Sequence, residues 1–276
     1  MSFLFRFLSC WPLWLLHGVG WLLGWMAYAL SPTYRRRFQA NARQAGFAGR
    51  CCRAAVGQAG QLVTELPRLW LGPPVRVMWD GAAHIDAALA AQRGVVFLTP
   101  HLGCFEVTAQ AYAARYGAQQ PITVLFRPAR KAALRALVAS ARQRPGLHTA
   151  PTTMAGVKQL LKALRLGQSV GLLPDQVPPQ GLGVWAPFFG REAYTMTLSA
   201  RLAQQSGATV LMVWGERLPW GRGYCVHVRP LSVALPPDAV AAATAVNRAM
   251  EDVIAACPQQ YLWGYARYKQ PRVGGM

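Results

Sequence analysis

The chain has 276 residues, 53% of them hydrophobic and only 14% charged, with 29 Lys and Arg against 10 Asp and Glu for a formal net charge of +19. That length suits one large domain with a full core, and no repeat or low-complexity tract divides it. So lopsided a charge on so apolar a chain points to a membrane surface or a polyanionic ligand. With no helix-turn-helix, RNP or zinc-finger pattern present, nucleic acid is not the expected partner.

Phe7 to Leu30 is a nearly uninterrupted apolar stretch of membrane-spanning length, carrying Trp11, Trp14, Trp21 and Trp25, with His17 as its one strongly polar side chain. It is expected to cross or deeply enter a bilayer; the alternatives are a helix lying in the interface and a signal peptide cleaved after Ala27-Tyr28-Ala29. Arg35, Arg36, Arg37, Arg43, Arg50 and Arg53 follow it, against Arg6 alone on the other flank. The positive-inside rule then places the body on the cytoplasmic side, giving an anchor over 1–32 and a catalytic domain over 33–276. Cys10, Cys51, Cys52, Cys104, Cys225 and Cys257 show neither C-x-x-C pairing nor metal spacing, and read as reduced thiols.

A helical stretch from Cys51 to Trp70 ends at Gly72-Pro73-Pro74. Strands are then expected at Val75–Trp79, Gly94–Thr99 and Ile122–Phe126, alternating with helices at Ile85–Gln92 and Phe105–Tyr116. Two basic helices, Lys131–Arg144 and Met154–Leu166, precede a strand at Ser169–Leu173. Strands at Thr209–Trp214 and Tyr224–Val228 and a long helix at Ala239–Ala256 complete the pattern. This alternation is that of an α/β sheet, in which ligands bind beyond the carboxyl ends of the strands. His101, Arg127 and Asp175 each lie just past such an end and are expected to converge.

The most informative segment is Gly94 to Glu106, where a buried-looking strand is broken by Pro100 and followed by His101 and Glu106. Inside one helix these two would point roughly 140° apart, so His101 is expected in the turn, with Glu106 reaching back from the first helical turn. A carboxylate on one imidazole nitrogen fixes the tautomer and leaves the other nitrogen as a general base for a hydroxyl. The alternatives are a helix cap with a macrodipole-favoured carboxylate, a metal site without the ligands to complete it, and Cys104 as a covalent nucleophile. Arg127, with Arg130 and Lys131 behind it, offers a bidentate phosphate ligand. Pro174-Asp175-Gln176 opens a long loop through Gly190 whose Val177, Val184, Trp185, Phe188 and Phe189 suit acyl chains or lipid.

In order along the chain, these segments resemble the late acyltransferases of lipid A biosynthesis, a branch of the lysophospholipid acyltransferase superfamily. The motifs that carry the resemblance are His101-Leu-Gly-Cys-Phe-Glu106, matching H-x4-D/E, then Phe126-Arg127-Pro128, Leu173-Pro174-Asp175-Gln176 and Pro187-Phe188-Phe189-Gly190. Ala193 to Thr197 resembles the family's Thr-rich helix start, and Gln260 to Lys269 its C-terminal signature. Cys104 and Ala266 depart from it, standing where polar residues are frequent. The resemblance implies an α/β fold, a mixed sheet flanked by helices of glycerolipid acyltransferase type behind an N-terminal membrane helix. It implies an inner-membrane enzyme taking an acyl group from acyl carrier protein, or CoA, to a hydroxyl of a phosphorylated glucosamine lipid. His101 and Glu106 would be catalytic, and Arg127, Arg130, Asp175 and Gln176 would bind substrate, Asp175 by ordering the loop. First-turn N–H groups after Pro100 would hold the oxyanion. Neither metal nor cofactor is expected; the expected partners are the carrier protein, anionic membrane lipids and the glycolipid acceptor. The alternative is a relative acting on another glycolipid, a lysophospholipid or an aminolipid.

Overall fold

The computed structural model describes residues 2–126 and 144–272. Arg127, Arg130 and nearly all of the basic helix expected at Lys131–Arg144 lie outside them.

The apolar N-terminal stretch is two helices rather than one. Helix α1 spans Ser2–Ser9 and α2 spans Leu13–Leu30, with the break at Pro12, which cannot donate a backbone hydrogen bond. Helix α3 (Pro32–Gln44) is capped by the Ser31 hydroxyl and starts with Pro32. The helical stretch before Gly72 also divides, into α4 (Arg50–Thr64) and α5 (Leu66–Leu71), about Glu65.

The body alternates strands and helices: β1 (Val77–Asp80), α6 (Ala82–Ala90), β2 (Val95–Leu98), α7 (Phe105–Tyr116), β3 (Ile122–Phe126), β4 (Leu147–Pro151), α8 (Met154–Arg165) and β5 (Ser169–Leu172). A hairpin of β6 (Gly183–Phe188) and β7 (Arg191–Met196) follows, then α9 (Leu198–Ser206), β8 (Thr209–Arg217), β9 (Tyr224–Pro230) and α10 (Ala239–Ala256). Seven strands form one mixed sheet in the order β1-β9-β8-β2-β5-β3-β4. The run from β8 to β4 is parallel, while β9 pairs antiparallel with β8 and parallel with β1.

Both sheet faces are apolar because alternate residues of each central strand serve different cores. Val96, Leu98, Val170, Leu172, Met212 and Trp214 face α8, α9 and α10, while Val95, Phe97, Leu211 and Val213 face α6 and α7. Helix α10 meets the sheet through Val246, Met250, Val253 and Ile254 at helical spacing.

The loop expected from Asp175 to Gly190 contains β6, and Ala193 to Thr197 contributes the end of β7 rather than a helix start. Phe189 and Gly190, with φ of 47° and 73°, form the left-handed two-residue turn a hairpin favours. Helix α9 starts only at Leu198. Strand β4 was not foreseen, since this edge strand buries only Leu147 and Ala150, a spacing without the alternation of a half-buried strand.

Helix α2 is fastened to the body. Gly20 and Gly24 cross α4 at Gly57 and Gly60 so closely that a Cβ on Gly60 would stand 1.9 Å from the Gly20 carbonyl oxygen. Trp25 and Tyr28 pack against the main core.

Candidate active site

Strands β2 and β5 run parallel with Leu98 opposite Leu172. His101 and Asp175 therefore each lie three residues beyond a paired position, at the same end of two neighbouring strands. Asp175 Oδ1 stands 2.6 Å from His101 Nδ1, and Oδ2 accepts the His101 backbone N–H at 2.8 Å. Burial would raise the Asp175 carboxyl, but the adjacent His101 ring and its two hydrogen bonds hold it below the usual carboxylate value. A carboxylate only accepts, so Nδ1 carries the proton and Nε2 of the neutral ring is the basic nitrogen. The Gln176 amide nitrogen lies 2.9 Å from that Nε2 and donates to it.

The carboxylate on His101 Nδ1 is thus that of Asp175, where Glu106 was expected. Both ring nitrogens of His101 have partners other than Glu106, whose Oε2 instead receives Trp70 Nε1 at 3.4 Å. Glu106 is on the first turn of α7, while Asp175, presented by the neighbouring strand, meets the ring at Nδ1. Asp175 and Gln176, expected to order the loop and bind substrate, both contact the His101 ring.

The turn carrying His101 is built without slack. Gly103 N donates to Gln260 O at 3.0 Å, Cys104 N to Gly215 O at 2.7 Å, and Leu262 N to His101 O at 3.2 Å. Gly103 has φ +56°, and a Cβ there would lie 2.1 Å from the Gly215 carbonyl oxygen, so only glycine fits. The N–H groups of residues 101 to 104 are thus already used, which removes them from the expected oxyanion donors.

Behind the turn lies a buried charge cluster that sequence reading missed. Arg217 Nη2 donates to Gly103 O at 2.8 Å and to Glu65 Oε1 at 2.6 Å, and Arg217 Nε donates to Glu65 Oε2 at 2.8 Å. Glu65 also accepts the Tyr224 hydroxyl at 2.9 Å and faces His17 Nε2 of α2 at 3.2 Å. Burial would raise the Glu65 carboxyl, but the Arg217 charge and the donors from His17 and Arg217 outweigh it and bring it down to about 2. The available signal was an acid, a base and a His each placed in an apolar run. Cys104 is fully buried, and burial together with the Glu65 charge raises its thiol well above the ordinary value. A thiol so held is no nucleophile.

A cleft opens beside this turn between α7 and the sheet. Thr99, Phe105 and Glu106 line it near the turn, and Phe97, Tyr112, Val124, Ile122 and Leu147 continue it along the strands. Its floor includes Gly171, whose missing side chain leaves the space between Val124 and Ile122 open. The half-buried His101 ring packs edge-on against Phe105, a residue of this cleft, with ring centroids 5.0 Å apart.

Residues 50–270 match the family described as bacterial lipid A biosynthesis acyltransferase. The chain belongs to that family. It is similar to the lipid A biosynthesis lauroyltransferase of Escherichia coli (strain K12), with 29% identity over 76% of this chain and 69% of the relative. It is also similar to the palmitoleoyltransferase of the same organism, with 28% identity over 78% and 70%. A lipid A biosynthesis acyltransferase of Haemophilus influenzae is 25% identical over 66% of this chain and 56% of that protein.

Proposed function

We propose that this chain transfers a fatty acyl group from an acyl carrier protein thioester, or from acyl-CoA, to a hydroxyl of a lipid A precursor, at the cytoplasmic face of a bacterial inner membrane. The observation that carries the mechanism is the His101–Asp175 contact of 2.6 Å, beside an apolar cleft whose Phe105 packs against the His101 ring. Family membership supports the reaction class and the acceptor.

The acceptor hydroxyl displaces the Gln176 amide from His101 Nε2 and gives its proton to that nitrogen as its oxygen attacks the thioester carbonyl. Asp175 stabilises the imidazolium that forms. In this reading the first-turn N–H groups of α7 receive the oxyanion. When the intermediate collapses, the carbon–sulfur bond breaks and the imidazolium proton passes to the leaving thiolate. The acyl chain lies along the cleft from Phe105 towards Leu147.

Arg127 and Arg130 supply cations for acceptor phosphate, and the +19 net charge suits an acidic carrier protein and anionic head groups. Glu106, at the cleft mouth with Trp70, acts on the substrate side. No metal or cofactor takes part.

The test is mass spectrometry of lipid A from cells lacking the protein, complemented with wild type or His101→Ala. Loss of one acyl group, restored only by wild type, is the expected result. Unchanged lipid A with another lipid under-acylated would refute the acceptor, and rescue by His101→Ala would refute the base.

A further inference from the structure

We propose that α1, α2 and the loop between β8 and β9 form one surface that lies in the plane of an anionic bilayer leaflet, so that α2 rests in the interface and does not cross the membrane. Helix α2 has two unlike faces. Leu13, Leu16, His17, Gly20 and Gly24 are buried against the body, while Val19, Leu22, Leu23, Met26 and Leu30 repeat the same spacing on the other side and are exposed. A helix apolar on both faces but covered on only one leaves the second for lipid.

The body accompanies α2 along nearly its whole length. Arg68 Nη1 lies 3.4 Å from Ser9 O and 3.5 Å from Trp11 O, and Gly221 abuts the Trp14 backbone. Next come His17 against Glu65, Gly20 and Gly24 against α4, and Tyr28 against Phe38. Eighteen residues span about 27 Å, close to the thickness of a bilayer's hydrocarbon core. Standing upright, α2 would carry these partners through that core, with exposed Arg222 and the irregular 218–223 backbone beside its first turn. Hydrocarbon accepts neither an exposed arginine nor unpaired loop backbone. Lying flat, the same helix keeps its partners on the aqueous side.

The surroundings of α2 fit that placement. Trp220 is 88% exposed in left-handed backbone (φ 60°), in the loop packed on the start of α2. Phe3, Phe7 and Trp14 are exposed on the neighbouring turns. Exposed arginines stand at both ends, Arg6 and Arg222 at one and Arg36 and Arg37 at the other. The fold thus adds Arg222 to Arg6 beside the first turn, so that cations flank α2 at both ends. Aromatic rings with cations around them suit the boundary between acyl chains and anionic head groups.

The test does not involve acyl transfer and so stands apart from the proposed activity. The full-length protein, with Cys10→Ser removing an exposed thiol, carries a fluorophore at Leu23→Cys or at Trp220→Cys. It is added to vesicles of phosphatidylglycerol and phosphatidylethanolamine whose acyl chains are brominated either near the head group or near the methyl end. Shallow bromines quenching both labels best is the expected result. Deep bromines quenching the residue 23 label best, or a residue 220 label left unquenched, would overturn the proposal. Trp220→Ser is expected to weaken vesicle binding roughly tenfold with thermal unfolding unchanged; undiminished binding would remove the loop from the surface.

Discussion

Asp175→Asn separates the two carboxylates that could serve His101. The substituted amide keeps one acceptor oxygen for the His101 backbone N–H but loses the charge 2.6 Å from Nδ1. Its NH2 group can also donate to Nδ1, which favours the tautomer whose Nε2 is protonated and cannot take a proton. General-base assistance is worth about 10²- to 10⁴-fold, so kcat is expected to fall by that factor, a barrier increase of roughly 3–5 kcal/mol. The lost charge-assisted hydrogen bond would cost about 1.5–3 kcal/mol of stability, so unfolding curves must accompany the rates. The assay follows thiol release from an acyl thioester in the presence of lipid acceptor, for wild type, Asp175→Asn and Glu106→Gln across the neutral pH range. If Asp175→Asn stays within about threefold of wild type while Glu106→Gln is inactive, the assignment of Asp175 as the orienting carboxylate is refuted.

Gly103→Ala would place a methyl 2.1 Å from the Gly215 carbonyl oxygen at φ +56°, and is expected to cost at least about 2 kcal/mol in denaturant unfolding along with most of the activity. The Glu65 carboxyl lies at about 2 in the fold against an ordinary 4.5, so its contribution is complete above about 4.5 and is lost as pH falls towards 2. That interval corresponds to roughly 3 kcal/mol, and Glu65→Gln is expected to flatten the acid limb of a stability-versus-pH series. Gly171→Val would fill the cleft floor, where even a Cβ meets Val124 at 3.1 Å; competition between thioesters is expected to shift towards shorter acyl chains.

The elements carrying the site were legible because their hydrophobic runs are short and sharply bounded. Phe105–Tyr116, Ile122–Phe126 and Ala239–Ala256 have the bounds that periodicity gives. The partner of His101 was not legible, because it depends on which strands are neighbours and in what register; nothing local says that Leu98 lies opposite Leu172. The β6–β7 hairpin was hidden by its own Gly and Pro content, and its register is set by the turn at Phe189 and Gly190. The docking of α2 was hidden for a different reason. Apart from His17 its protein-facing side is apolar like its exposed side, and that histidine and the glycine spacing on two separate helices are what distinguish them. Arg127 and Arg130 lie outside the described residues.

The chain of contacts from His17 through Glu65 and Arg217 to Gly103 has a practical consequence for anyone wanting a soluble version of this protein. Deleting the first thirty residues would remove the His17 donor from a buried carboxylate and bare the Gly57–Gly60 groove of α4 to water. Such a truncation cuts into the core, with only Glu65 and Arg217 between His17 and the turn that carries His101, and detergent around the full chain is the better route to folded material.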